Sequence, residues 1–193
     1  MVETLSTSVQ SEIIRFLARS LEYPQSTWLN HHYLDGLSSL LTELGYQNDL
    51  TEILALPADS AEALENLQIE YTRLFINGIP ATVAPPYGSI YHHGEGMLNG
   101  RSTEKTLEYY HSHGFDLADP SDLADYLPLE LEFLALLLAE NKEAEAREFY
   151  QEYLGPWFGA FRQRVREGSR VPFYRILIEL IDFFTKEEDE YEH

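Results

Sequence analysis

The stretch DPSDLADYLPLELEFLALLLA, Asp119 to Ala139, decides how this chain folds. Aspartate followed by proline is a helix start. Leu127, Leu131, Leu134 and Leu138 then return at three- and four-residue intervals, the spacing of one helical face. Pro128 has no amide hydrogen and suits only a first turn, so it marks a second candidate start for the regular helix. The uninterrupted apolar run within it, Phe133 to Ala139, is far shorter than the ~20 residues a spanning helix needs. A segment this apolar belongs inside a soluble bundle.

Other segments repeat the pattern. Val9, Ile13, Phe16, Leu17 and Leu21 share one face of a helix over 9–22, with Glu12, Arg15 and Arg19 largely opposite and Pro24 as the stop. A second stripe, Leu34, Leu37, Leu40, Leu41 and Leu44, ends at Gly45, a natural left-handed cap. A short helix is expected over Leu50–Ala55, and after Pro57 and Asp59 another carries Leu64, Leu67, Tyr71, Leu74 and Phe75 as far as Ile76. Asn77 to Ser102 holds four glycines after Gly78 and three prolines, so it is expected as a structured loop with room for one helical turn. Loops of that length in compact domains are commonly functional. Thr103 is placed to cap a helix through Leu107 and Tyr110 that Gly114 ends. Two further helices, Lys142–Glu167 and Phe173–Lys186, flank Gly168, Ser169 and Pro172. No strand series and no fixed repeat occurs. The expectation is an all-α, single-domain helical bundle over residues 1–186, with the loop at about 77–102 as its functional part and an acidic, solvated tail at 187–193.

Composition narrows the function. The 193 residues carry 33 acidic against 13 basic side chains, a net charge of -20. Such a surface repels nucleic acid and anionic membranes and favours a basic peptide. The absence of cysteine removes disulfides, thiolate metal sites and cysteine nucleophiles. Met1 to Ser20 has no basic segment followed by an apolar core, so a cytoplasmic protein without an export leader is expected.

Chemistry finds little footing. His92, His93, His111, His113, Glu130 and Glu132 are the available metal ligands, but no Glu-x-x-His or His-Glu-x-x-His spacing joins them. Phosphate-loop and nucleophile-elbow motifs are missing, and no cofactor is expected. Glu130 and Glu132, two apart on a helix, face different directions. The five arginines from Arg162 to Arg175 are expected in ion pairs within the protein. A helical metal-dependent enzyme using histidine and glutamate, or a scaffold subunit of a redox complex, stand as alternatives to a binding protein.

More informative is the loop core Pro85-Pro86-Tyr87-Gly88-Ser89-Ile90-Tyr91. Its tyrosines offer rigid surfaces with polar tips, its prolines lower the entropy cost of order, and Gly88 permits a tight turn, a combination suited to peptide recognition or to packing on the bundle. This loop is similar to the Pro-Pro-aromatic-x-Ser-Val-aromatic element of the TorD/DmsD/NarJ family of molybdoenzyme maturation chaperones. Tyr71-Thr72-Arg73-Leu74-Phe75 resembles the family's aromatic-x-x-Leu-Phe element. Arg15-Phe16-Leu17 with Leu21-Glu22-Tyr23-Pro24 looks like its opening, and Pro172-Phe173-Tyr174 like the start of its last helix. Ala124-Asp125-Tyr126-Leu127 and Tyr153-Leu154-Gly155-Pro156-Trp157 match two further elements, each with tyrosine where histidine is common. At Tyr126 the substitution puts a phenol, neutral near pH 7, in place of an imidazole.

The resemblance implies an all-helical chaperone, not an enzyme, that binds the twin-arginine signal peptide of an apo-form, molybdenum-dependent oxidoreductase until cofactor insertion precedes export. It also implies a route to homodimers by domain swapping. Asp125, then Glu130 or Glu132, are the implied partners of the arginines, since carboxylates accept guanidinium forks. Tyr87 and Tyr91, backed by Leu74 and Phe75, with Pro86, Ser89 and Tyr126 alongside, are implied for the apolar part of the signal.

Overall fold

The computed structural model describes residues 6–54, 60–79, 81–92 and 96–186. At its centre is α6 (Leu127–Ala139), buried on almost every side: Leu127, Glu130, Leu131, Phe133, Leu134, Ala135, Leu137 and Leu138 all face the interior. A helix apolar all round must be enclosed by others. It begins at Leu127 with Pro128 in its first turn, and not at Pro120. Asp119 instead accepts from the Ser121 amide at 2.8 Å and closes a turn of its own.

Along α6 runs α1 (Thr7–Arg19), capped by Ser6. Small Ser11 lets the two backbones approach, and its hydroxyl donates to the Ala135 carbonyl at 2.7 Å. The second enclosed helix, α9 (Pro172–Thr185), packs on α1, α3 (Gln47–Leu54) and α8 (Gly155–Gly168). Between α1 and α3 lies α2 (His31–Glu43), capped by Asn30, and Gly45 beyond its end has φ +74°, the left-handed stop its sequence implies. The remaining helices are α4 (Ala61–Tyr71), α5 (Arg101–Ser112) and α7 (Glu143–Phe149). Thr103 is not the cap of α5; it is buried in the first turn, Gly100 occupies the cap position, and Gly114 follows with φ +80°.

Two helices end in π turns where an unbroken α-helix is expected. After α4, Thr72–Ile76 widens so that the Asn77 amide reaches the Thr72 carbonyl at 2.7 Å. Tyr150–Leu154 does the same between α7 and α8, dividing the helix expected over Lys142–Glu167. Gly155 follows, where a Cβ would lie 2.8 Å from the Tyr150 carbonyl oxygen. Among the described residues there is no strand, only an isolated antiparallel bridge between Tyr87 and Tyr126. No helix of the described residues is long and apolar enough to cross a membrane. The short helix reaches Leu54, Ala55 lies outside the described residues, and so does the acidic tail from 187.

The strip of arginines is largely spent on internal pairs: Arg162 on Glu179 and Asp182, Arg166 on Glu179, and Arg175 on Glu52.

Candidate functional site

The loop after the first π turn is held to α6 by backbone and carboxylate. The Leu127 amide donates to the Pro86 carbonyl at 2.9 Å, and the Gly88 amide to the Asp125 carbonyl at 2.9 Å. Between them Tyr87 and Tyr126 form the isolated bridge, so their side chains emerge together. Asp125 then accepts the Ser89 amide on Oδ2 at 2.6 Å, at the start of the 3₁₀ turn Gly88–Ile90. Asp125 is 1% exposed, as is Glu130. Asp125 thus holds the turn twice, its main-chain carbonyl taking the Gly88 amide and its carboxylate the Ser89 amide.

Glu130 lies deeper. Its Oε2 accepts the Trp157 indole N–H at 3.1 Å. Burial, and then the charge of Asp125, push the Glu130 carboxyl well above the usual range, with the indole bond opposing. Gly88 sits over the same indole, and a Cβ there would lie 2.9 Å from Trp157 Nε1, which is why this position carries glycine. Tyr91 stacks on the other side of Trp157, with ring centroids 5.6 Å apart, and the Arg164 guanidinium covers Tyr91 at 4.7 Å.

At the surface the arrangement is different. The Tyr87 and Tyr126 rings stack at 5.1 Å. Tyr126 Oη lies 3.4 Å from Tyr71 Oη, and Tyr71 meets Tyr23 edge-on at 5.5 Å, so four tyrosines run continuously from the loop to the corner after α1. Three exposed carboxylates belong to the same region: Glu22 from that corner, Asp122 from the turn before α6, and Glu132 from α6 itself. Their charges act on shared groups. Burial, then Tyr71, Glu22 and Asp122, raise the Tyr126 hydroxyl; burial, then Glu22, raises Glu132, with Arg15 opposing. Phenol rings and carboxylates are groups that a guanidinium stacks on and forks onto.

The ten residues expected at the site therefore divide. Tyr87, Tyr91 and Tyr126 are half-buried and Glu132 is exposed. Leu74, Phe75, Pro86, Ser89, Asp125 and Glu130 are interior. The structure brings Tyr87 to Tyr126 and Ser89 to Asp125, and joins Glu130 to Tyr91 only through Trp157. Sequence reasoning passed over Glu22, Asp122, Tyr23 and Tyr71 as members of this surface. Glu22 and Tyr23 stand in the Leu21-Glu22-Tyr23-Pro24 segment, which the family resemblance picks out as part of an opening element with no role attached to either residue.

Among the described residues no three histidine, aspartate or glutamate side chains gather as ligands. His111 pairs with Asp116 at 3.2 Å, His113 contacts the Tyr109 carbonyl at 2.9 Å, and His93 lies outside the described residues.

Comparison with known proteins gives consistent relatives. The family described as nitrate reductase delta subunit matches residues 38–163. Chaperone protein TorD of Actinobacillus succinogenes is 30% identical over 172 residues, covering 86% of each chain. Chaperone protein TorD of Vibrio vulnificus is 28% identical over 156 residues, covering 75% of this chain and 72% of the relative. Chaperone protein YcdY of Escherichia coli K12 is 28% identical over 142 residues, covering 73% of this chain and 65% of the relative. Among solved structures, one from Archaeoglobus fulgidus assigned to redox enzyme maturation superposes with a TM-score of 0.63 at 25% identity, covering 91% of this chain and 94% of that one.

Proposed function

We infer that this chain, which belongs to the nitrate reductase delta subunit family, is a molybdoenzyme maturation chaperone whose client contact is the arginine-bearing signal region of the immature enzyme. Its relatives are named as chaperones, so the role is binding and not catalysis. The observation that carries the finer reading is the stacked Tyr87–Tyr126 pair with Glu22, Asp122 and Glu132 in the same region. In this reading Asp125 shapes the site by holding Ser89, and the exposed carboxylates meet the arginines. The net charge of -20 steers a cationic segment toward the surface.

Holding a client until it is mature needs only a difference in affinity. A chaperone that binds the immature enzyme more tightly than the finished one releases it when that difference disappears. In a cytoplasmic setting the same contact keeps the signal from the export machinery while cofactor is inserted.

Calorimetric titration with a twin-arginine signal peptide tests the reading. Binding is expected to weaken as salt rises, because opposed surface charges are screened. It is expected to weaken about tenfold or more in a Glu22→Gln/Glu132→Gln variant, the scale of losing two charge-assisted bonds. A peptide that binds no tighter than its Arg→Gln counterpart contradicts the proposal.

A further inference from the structure

Of the residues expected to receive the apolar part of such a peptide, Leu74 is 0% and Phe75 5% exposed and these two offer it no open surface, while Tyr87 and Tyr91 are half-buried. Resting on the reading above, we propose that the apolar stretch of the same client peptide lies in a separate groove that begins at Tyr23. This groove, about 600 Å³, runs between α4 and the chain after the first π turn. Its lining is mixed: Tyr23, Ile69 and Ile79 are apolar, and Glu65, Arg73 and Arg170 are charged.

Three observations bear on that occupant. The first is exposure: Ile79 is 97%, Ile69 60% and Tyr23 41% exposed, and Ile76 beside them is 57% exposed. Isolated exposed aliphatics are ordinary, but several around one concavity mark a contact surface. The second is the floor. Arg73 forks onto Glu70 at 2.8 Å on both oxygens and also donates to the Gly168 carbonyl, while the Arg170 amide donates to Glu70 at 2.6 Å. Arg73 is thereby paired and fixed, and Glu65 and the Arg170 side chain complete the charged part of the lining. The third is continuity. Tyr23 packs edge-on against Tyr71 of the tyrosine chain, and its neighbour Glu22 is one of the carboxylates at the arginine patch. Arginines at Glu22 thus lead directly into the groove at Tyr23, and its volume, within the range of small-ligand sites, takes a few residues of extended chain.

The test uses the full chain and two fluorescein-labelled probes. One is an arginine pair followed by about ten leucines and alanines, the length of a signal's apolar region. The other replaces that run with serines and glycines. Ile69→Ser/Ile79→Ser is expected to weaken the first probe about tenfold and leave the second unchanged, since two aliphatic contacts are removed. Glu22→Gln/Glu132→Gln weakens both. If the isoleucine variant binds both probes like the wild type, the groove assignment is overturned while the arginine reading stands. If the wild type binds neither probe, the arginine reading fails and this proposal with it. If the peptide-free protein self-associates and Ile69→Ser/Ile79→Ser abolishes that, the groove belongs to a second copy and the proposal is overturned.

Discussion

Replacing Glu130 by glutamine should change how stability depends on pH. The Glu130 carboxyl is 1% exposed, faces the Trp157 indole at 3.1 Å, and has its pKa raised well above 4.5 by burial and by Asp125. A group whose folded pKa lies above its unfolded value keeps its proton in the native state after the unfolded chain has released it. Between the two pKa values the native state holds one more proton, so unfolding free energy falls as pH rises. The slope approaches about 1.4 kcal/mol per pH unit, the limit for one proton. Its contribution is therefore full below about pH 4.5 and lost as pH climbs through the folded pKa. Glutamine keeps the side-chain shape and an acceptor for the indole but cannot ionise. Urea unfolding of both proteins, in steps from about pH 5 to about pH 8, measures the difference; every other titrating group is common to both and cancels. Glu130→Gln is expected to gain on the wild type with each step. Parallel curves across that range would refute the claim that burial raises the pKa of this carboxyl.

The opposite sign is expected at Glu70, where burial is outweighed by the Arg73 hydrogen bonds, the Arg170 amide and both cations, leaving its pKa lowered. Arg73→Ala should cost about 3 kcal/mol by stranding a buried carboxylate, and the gap to wild type in urea unfolding should narrow as pH falls below about 4.5. Gly88→Ala drives a methyl to 2.9 Å from Trp157 Nε1 and should cost about 1–3 kcal/mol, seen in thermal melts together with changed tryptophan emission. Tyr126→Phe keeps the stack on Tyr87 and should leave arginine-peptide affinity within about twofold, while Tyr126→Leu, which loses the π face, should weaken it about fivefold.

Most of the helices were legible because their apolar residues recur at three and four, and a bundle of such helices needs no long-range information to be recognised. The boundary of α6 turned on Pro128, whose missing amide outweighs the aspartate–proline signal at Asp119. The π turns were invisible, since Leu74-Phe75 and Tyr153-Leu154 fit α-helical spacing closely enough that only the hydrogen bonds reveal the extra residue. At the candidate site, motif resemblance named a loop and an end of α6 that the structure brings together. It did not tell inside from outside: Asp125 and Glu130 look like surface carboxylates in sequence, and become interior only once the Ser89 amide and the Trp157 indole arrive from elsewhere. Glu22 and Asp122 escaped for the converse reason, as lone acidic residues at helix ends acquire meaning only when three segments meet.

Each π turn also has a genetic meaning. An α-helix advances about 100° per residue, so a turn holding one residue too many is the trace of a single codon carried within a helical rod. Deleting one residue from either π turn would close it to α pitch and leave the flanking chain facing as it does now, because the widened turn already absorbs the extra ~100°. What such a deletion removes is local, as at the Leu74 carbonyl in the first turn, which now receives the Ala84 amide at 2.8 Å. At Tyr150–Leu154 the same deletion would leave Trp157 facing Glu130. At these two places a one-residue gap between relatives is therefore a local change that the surrounding bundle survives.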